Sequence, residues 1–140
     1  MSINKNTKDV WECECDIELI FVHISYRVLL SIVRPFALNA LEGMVMEDRT
    51  NKKWGSVIAR DSTWIGDRRE INTLILEFIR QLHGPIQTVI NSYQSPIILR
   101  LGIYHKSYEF TLRLNSKISQ IFSENGIDLE ISIYPSYEDA

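Results

Sequence analysis

Cysteine, glycine, proline and positive charge are all scarce in this chain, and each shortage removes a class of protein. Two cysteines in 140 residues cannot build the framework of a disulfide-stapled secreted domain. Four prolines and six glycines, with no internal repeat or low-complexity stretch, leave no linker at which to divide the chain. Fifteen Lys and Arg against eighteen Asp and Glu give a formal charge of −3, which offers no electrostatic reason to track a nucleic-acid backbone. No apolar run approaches the ~18 residues of a membrane helix. The stretch from Ile17 to Val33 is interrupted by Glu18, His23, Ser25, Arg27 and Ser31. The leading MSINKNTKDV segment lacks the apolar core and small-residue cleavage site of a signal peptide. These absences predict a cytoplasmic protein with no membrane contact.

Chemical signatures are missing as well. The chain has no G-x-G-x-x-G, P-loop, G-x-S-x-G or H-E-x-x-H sequence. His23, His83 and His105 stand far apart, and His83 is placed where a cation complements a helix C-terminus. Tyr104-His105-Lys106 closes a strand without an identifiable nucleophile or carboxylate partner. Lys52-Lys53-Trp54 and Arg68-Arg69 are the only basic clusters and read as solvated segments. Cys13 and Cys15 share a strand face about 6.7 Å apart with parallel Cβ vectors, so they read as reduced thiols packed as small apolar residues. A zinc site needs four ligands, and no second Cys pair accompanies them. The expectation is a protein that is not an enzyme and holds neither metal nor cofactor.

What is present is hydrophobic pattern. Residues 10–136 are predicted to form one domain behind a disordered tail at 1–9, and a chain this long can bury roughly 68% of its unfolded surface. Nine residues from Trp11 alternate strictly, with Trp11, Cys13, Cys15, Ile17 and Leu19 on one face and Glu12, Glu14, Asp16 and Glu18 on the other. Beyond it the β-branched content predicts a break near His23 to Ser25 and a strand over Arg27 to Val33. Phe36 to Met44 reads as a short helix, Glu47 to Gly55 as a polar loop, and Val57 to Ile65 as a strand with Trp64 packed beneath it. Asp67 and Glu70 have capping-box spacing ahead of Ile71, Leu74, Ile75, Phe78, Ile79 and Leu82, an amphipathic helix that Gly84-Pro85 ends. One more short helical turn is expected over Pro85 to Tyr93. Pro96 to Pro135 then reads as strand, helix, strand, with Gly126 closing the helix. The fold class is α+β, an antiparallel or mixed sheet of about five or six strands with two main helices on one face.

From Tyr26 onward this order of features resembles an uncharacterised bacterial family, domain of unknown function 4279. The matching residues are Arg27 to Val33, Leu41 to Gly43, Lys53 to Gly55, Trp64, Ile71 to Leu82, Pro85, Ile97 to Ile103, and Ile127 to Tyr134. The sequence departs from the family in the inserted Glu42, and the acidic strand from Trp11 to Leu19 lies outside the resemblance. The resemblance implies a fold and a bacterial setting rather than an activity. By analogy with small proteins of this type, it also implies an immunity partner of a bacterial toxin.

The row Glu12, Glu14, Asp16 and Glu18 is the most unusual local feature. Carboxylates about 6.7 Å apart along one strand repel unless solvated or paired. They belong either to an exposed edge strand that uses charge against edge-to-edge pairing or to an acidic docking surface for a basic protein such as a nuclease toxin. The functional expectation is an immunity-type protein that neutralises a toxin through these four residues. The alternative is a small-ligand protein or enzyme with a pocket between sheet and helices near Trp64, Tyr104 and His105. The sequence does not set the oligomeric state.

Overall fold

Alternation and capping together decide where the chain extends and where it coils. The computed structural model describes residues 12–36, 44–49, 55–106 and 110–135; the N-terminal tail with Trp11, the Leu41 to Gly43 segment and the Lys52-Lys53-Trp54 cluster lie outside them. β1 (Cys13–Phe21) is followed by α1 (Tyr26–Val33), β2 (Met44–Arg49), β3 (Gly55–Ile65), α2 (Glu70–Gln81), α3 (His83–Ser92), β4 (Ile97–His105), α4 (Ser116–Asn125) and β5 (Ile127–Pro135). The strands form one five-stranded mixed sheet in the order β2-β3-β1-β4-β5. Every pairing is antiparallel except that of β4 with β5, which is parallel. A parallel pair needs a crossover, and α4 supplies it. The expected α+β class and mixed sheet hold.

One face of the sheet carries the core. Cys13, Cys15, Ile17, Leu19 and Phe21 of β1 and Leu99, Leu101 and Ile103 of β4 are fully buried there. They share a single apolar cluster with Leu29 and Ile32 of α1, Ile71, Ile75 and Phe78 of α2, Ile86 and Val89 of α3, and Ile118 and Phe122 of α4. All four described helices therefore cover the same side. Cys13 and Cys15 are free thiols with their sulfurs 3.8 Å apart. The contact with Cys13, and then burial, pushes the Cys15 thiol well above the ordinary range.

Several boundaries differ from expectation, each for a local reason. Arg27 to Val33 is helix rather than strand. The Ser25 Oγ accepts the Val28 amide at 3.2 Å as an N-cap, and Leu29, Ile32 and Val33 gather on one face. The break before it spans Val22 to Ser25, where the expected break near His23 to Ser25 lies, with His23 at φ 65°. Met44–Arg49 is a strand at the sheet edge where Met44 was expected to end a helix and Glu47 to Arg49 to be loop. Its polar residues are compatible with an edge position, which solvates one side of the backbone. Gly55, at φ 71°, starts β3 where a Cβ would lie 2.3 Å from the Phe21 carbonyl oxygen, so only glycine fits. Asp67 does not cap α2 itself. Its carboxylate accepts the Arg69 amide at 2.9 Å within a turn that precedes the helix. The helix breaks at Leu82, so Gly84-Pro85 falls in the first turn of α3, a position where proline's missing donor costs nothing. Among the described residues no helix is long and apolar enough to cross a membrane.

Candidate functional site

The second face of the sheet carries none of the described helices, and this is where the four carboxylates lie. Glu14, Asp16 and Glu18 stand on the central strand, paired on both sides and not on an edge, and Glu12 immediately precedes it. Protection of an edge is therefore not their role. In register across the face, Glu14 lies between Trp64 and Tyr104, and Glu18 between Ala59 and Arg100. Asp16 sits opposite Gly102, at a bulge in the pairing with β3. Further out, Glu47 of β2 and Asp128, Glu130, Ser132 and Tyr134 of β5 continue the same surface. At the Phe21 end the face closes, with Ile20 and Val57 fully buried.

The four acids have different employments. Glu12 is structural: its carboxylate receives the Arg68 amide at 3.0 Å and Arg68 Nε at 2.6 Å, and the two groups form an ion pair. Arg68 also donates to the Thr111 carbonyl at 3.1 Å and lies 4.9 Å above the Phe110 ring. This pair clamps the start of β1 to the turn before α2. Asp16 accepts a hydrogen bond from Ser62 Oγ. Glu18 lies 3.8 Å from Arg100 Nη1, while Arg100 Nε bonds Glu130 at 2.5 Å. Glu14 makes no ion pair among the described residues. The row is thus a mixed surface in which Glu14 and Asp16 keep the most unneutralised charge.

Two aromatic features flank the acids. Tyr104 and Tyr134 stack with centroids 5.0 Å apart and planes 18° from parallel. Burial, followed by the charge of Asp16 and a hydrogen bond to it, raises the Tyr104 phenol above its ordinary value. Trp64 is 56% exposed, contrary to the expectation that it packs under β3. Beside the tyrosine stack, across β1, β4 and β5, lies a depression of about 180 Å³ lined by Asp16, Glu18, Arg100, Gly102, Tyr104, Ser132 and Tyr134.

The alternative pocket at Trp64, Tyr104 and His105 is not assembled. Tyr104 lies on the acidic face, whereas His105 is 7% exposed on the helix side, with its ring 5.1 Å from that of Phe110. Opposite strand faces also separate the members of the Tyr104-His105 cluster. His83 begins α3 rather than ending a helix, and Arg68 and Arg69 are each held by a carboxylate, Glu12 and Asp67. Among the described residues no group of three or more His, Cys, Asp or Glu side chains could hold a metal ion.

Gly102, Ser62, Arg100, Tyr134 and Glu130 were not singled out from the sequence as site residues. The alternation of β4 and β5 put all but Ser62 on a polar strand face. What was missing was the pairing that lays β4 against β1. No family model matches the chain, and neither curated proteins nor solved structures yield a match.

Proposed function

We propose that this is a non-enzymatic, immunity-type bacterial protein that neutralises a basic toxin by docking it on the acidic sheet face. The observation that carries the reading is that Glu14, Asp16, Glu18, Glu47, Asp128 and Glu130 share one face of the sheet, where acidic positions outnumber arginines, and that no described helix covers them. Exposed Trp64 and Tyr134 on the same surface supply the aromatic contact area that interfaces favour. An acidic surface speeds encounter with a basic partner by about 10- to 1,000-fold, an effect that salt screens. The setting follows from the resemblance to the bacterial family and from analogy with immunity partners of toxins.

The test is co-expression with the product of the neighbouring reading frame, scored by growth. The wild-type chain should rescue growth, and the Glu14→Lys/Asp128→Lys variant should not, although both folds melt alike. With purified proteins, the variant's association should slow about tenfold or more at low salt, with the gap closing as the Debye length shrinks toward ~8 Å. A neighbour without toxicity, or rescue that survives the charge reversal, sinks the reading.

A further inference from the structure

The depression on the acidic face has a floor that the fold does not require. Gly102 lies in the interior of β4, where glycine weakens a strand and contributes no packing. Its φ is not positive; Gly55 and Gly126 are the described glycines that have one. A Cβ placed at Gly102 would lie 3.7 Å from Asp16 Cβ, 3.8 Å from Asp16 Oδ2 and 3.9 Å from Tyr104 Cε2. These are ordinary contact distances, so an alanine fits there without moving anything. The contrast with Gly55, whose Cβ would strike backbone at 2.3 Å, is complete. The missing side chain at position 102, opposite the Asp16 bulge, keeps the floor of the depression open.

The walls specify what approaches. At about 180 Å³ the depression is smaller than the roughly 300–1,000 Å³ of sites that enclose a whole small molecule. It suits one side-chain head group. Asp16 Oδ2 borders it, and the Tyr104–Tyr134 stack forms another wall. Arg100 is the single cation in the lining, and it is drawn toward Glu130 and Glu18, so the net charge around the depression is negative. A planar guanidinium meets these walls better than an ammonium does. It can fork onto a carboxylate and stack on a tyrosine at the same time.

We infer that the depression over Gly102 is the anchor pocket for an arginine side chain of the basic partner. The inference rests on the docking reading above and sharpens it to one residue type at one place. The arginine enters over the Gly102 backbone, bonds Asp16 and lies against the tyrosine pair.

The experiment titrates the full chain with a nona-arginine peptide and, separately, with nona-lysine. It follows the ring resonances of Tyr104 and Tyr134 and the Gly102 amide by NMR at low salt. Nona-arginine should shift these resonances saturably and bind more tightly than nona-lysine. Gly102→Val should weaken nona-arginine binding by about tenfold, the order expected when a charge-assisted hydrogen bond is lost, while its melting temperature stays at or above that of the wild type. Gly102→Ala, which adds only the accommodated Cβ, gives a smaller loss and serves if the valine variant fails to fold. Equal affinity of wild type and both variants, or binding that leaves the tyrosine rings unmoved, overturns the anchor and leaves the docking face standing. A wild-type chain that binds neither peptide overturns the docking reading along with it.

Discussion

The two faces of β1 are built from alternate residues of one nine-residue strand and live in opposite environments. On one side Cys13, Cys15, Ile17, Leu19 and Phe21 have no solvent exposure and touch elements from the whole chain. On the other, Glu14, Asp16 and Glu18 are half-buried beside polar and aromatic neighbours. The helix side is redundant in chemistry and strict in shape. The acidic side is permissive in shape and particular in charge. A strand can therefore anchor a fold and offer a surface at once, because its side-chain period of two keeps the roles apart.

The sharpest way to break that comparison is to substitute neighbouring residues. Leu19→Ala removes a fully buried side chain and should cost about 2–5 kcal/mol by urea unfolding. Glu12→Ala comes next. Although Glu12 belongs to the acidic side, its bonds to Arg68 are structural, and their loss should cost about 1–3 kcal/mol. Equal costs for Glu12→Ala and Glu14→Ala would erase the distinction drawn between them. Gly102→Ala should act in the other direction, stabilising by about 0.5–1 kcal/mol because the strand geometry there suits any residue. A destabilised alanine variant would mean that the open floor serves the fold. Glu14→Ala, with no ion pair to lose, should stay within about 0.5 kcal/mol of wild type.

The smallest effect lies off both faces and provides a baseline. The side chain and amide of Arg69 hold the Asp67 carboxyl at about 2, below its ordinary 3.8. A depressed carboxylate favours the folded state above the unfolded value, and the benefit disappears as pH falls through the folded one. Asp67→Asn should therefore flatten the stability profile slightly between about 3.8 and about 2. Because the Asp67–Arg69 pair lies at the surface, a large change there would show that acid unfolding is governed by this turn and not by the sheet.

The sequence made the strict alternations readable, and those are what the structure keeps. Cys13 to Leu19, Ile97 to Ile103 and Ile127 to Ile133 are strands because period two leaves no helical face to bury. Ile71 to Leu82 is helix because its apolar residues recur at three and four. Arg27 to Val33 reads as strand by its β-branched content and folds as helix from Ser25, because a cap is a local interaction whereas strand preference depends on neighbours. Met44–Arg49 was missed because an edge strand needs little hydrophobicity. At the candidate site, the carboxylate row was visible as a row. Its partition into Glu12 bound to Arg68, Glu18 near Arg100 and Asp16 above Gly102 depends on contacts 56 to 86 residues apart along the chain, and periodicity carries no information about such pairings.

The position of β1 also has a consequence for biosynthesis. Among the described strands it precedes both of its partners in the chain, and β4 follows about 80 residues later. At ordinary elongation rates that is roughly 4–17 s during which its apolar side lacks one neighbour. An uncovered strand containing Ile17, Leu19, Ile20 and Phe21 is a nucleus for aggregation in that interval. Glu12, Glu14, Asp16 and Glu18 alternate with the first part of that run. Charges interleaved with an apolar run in this way oppose the stacking of one uncovered strand on another.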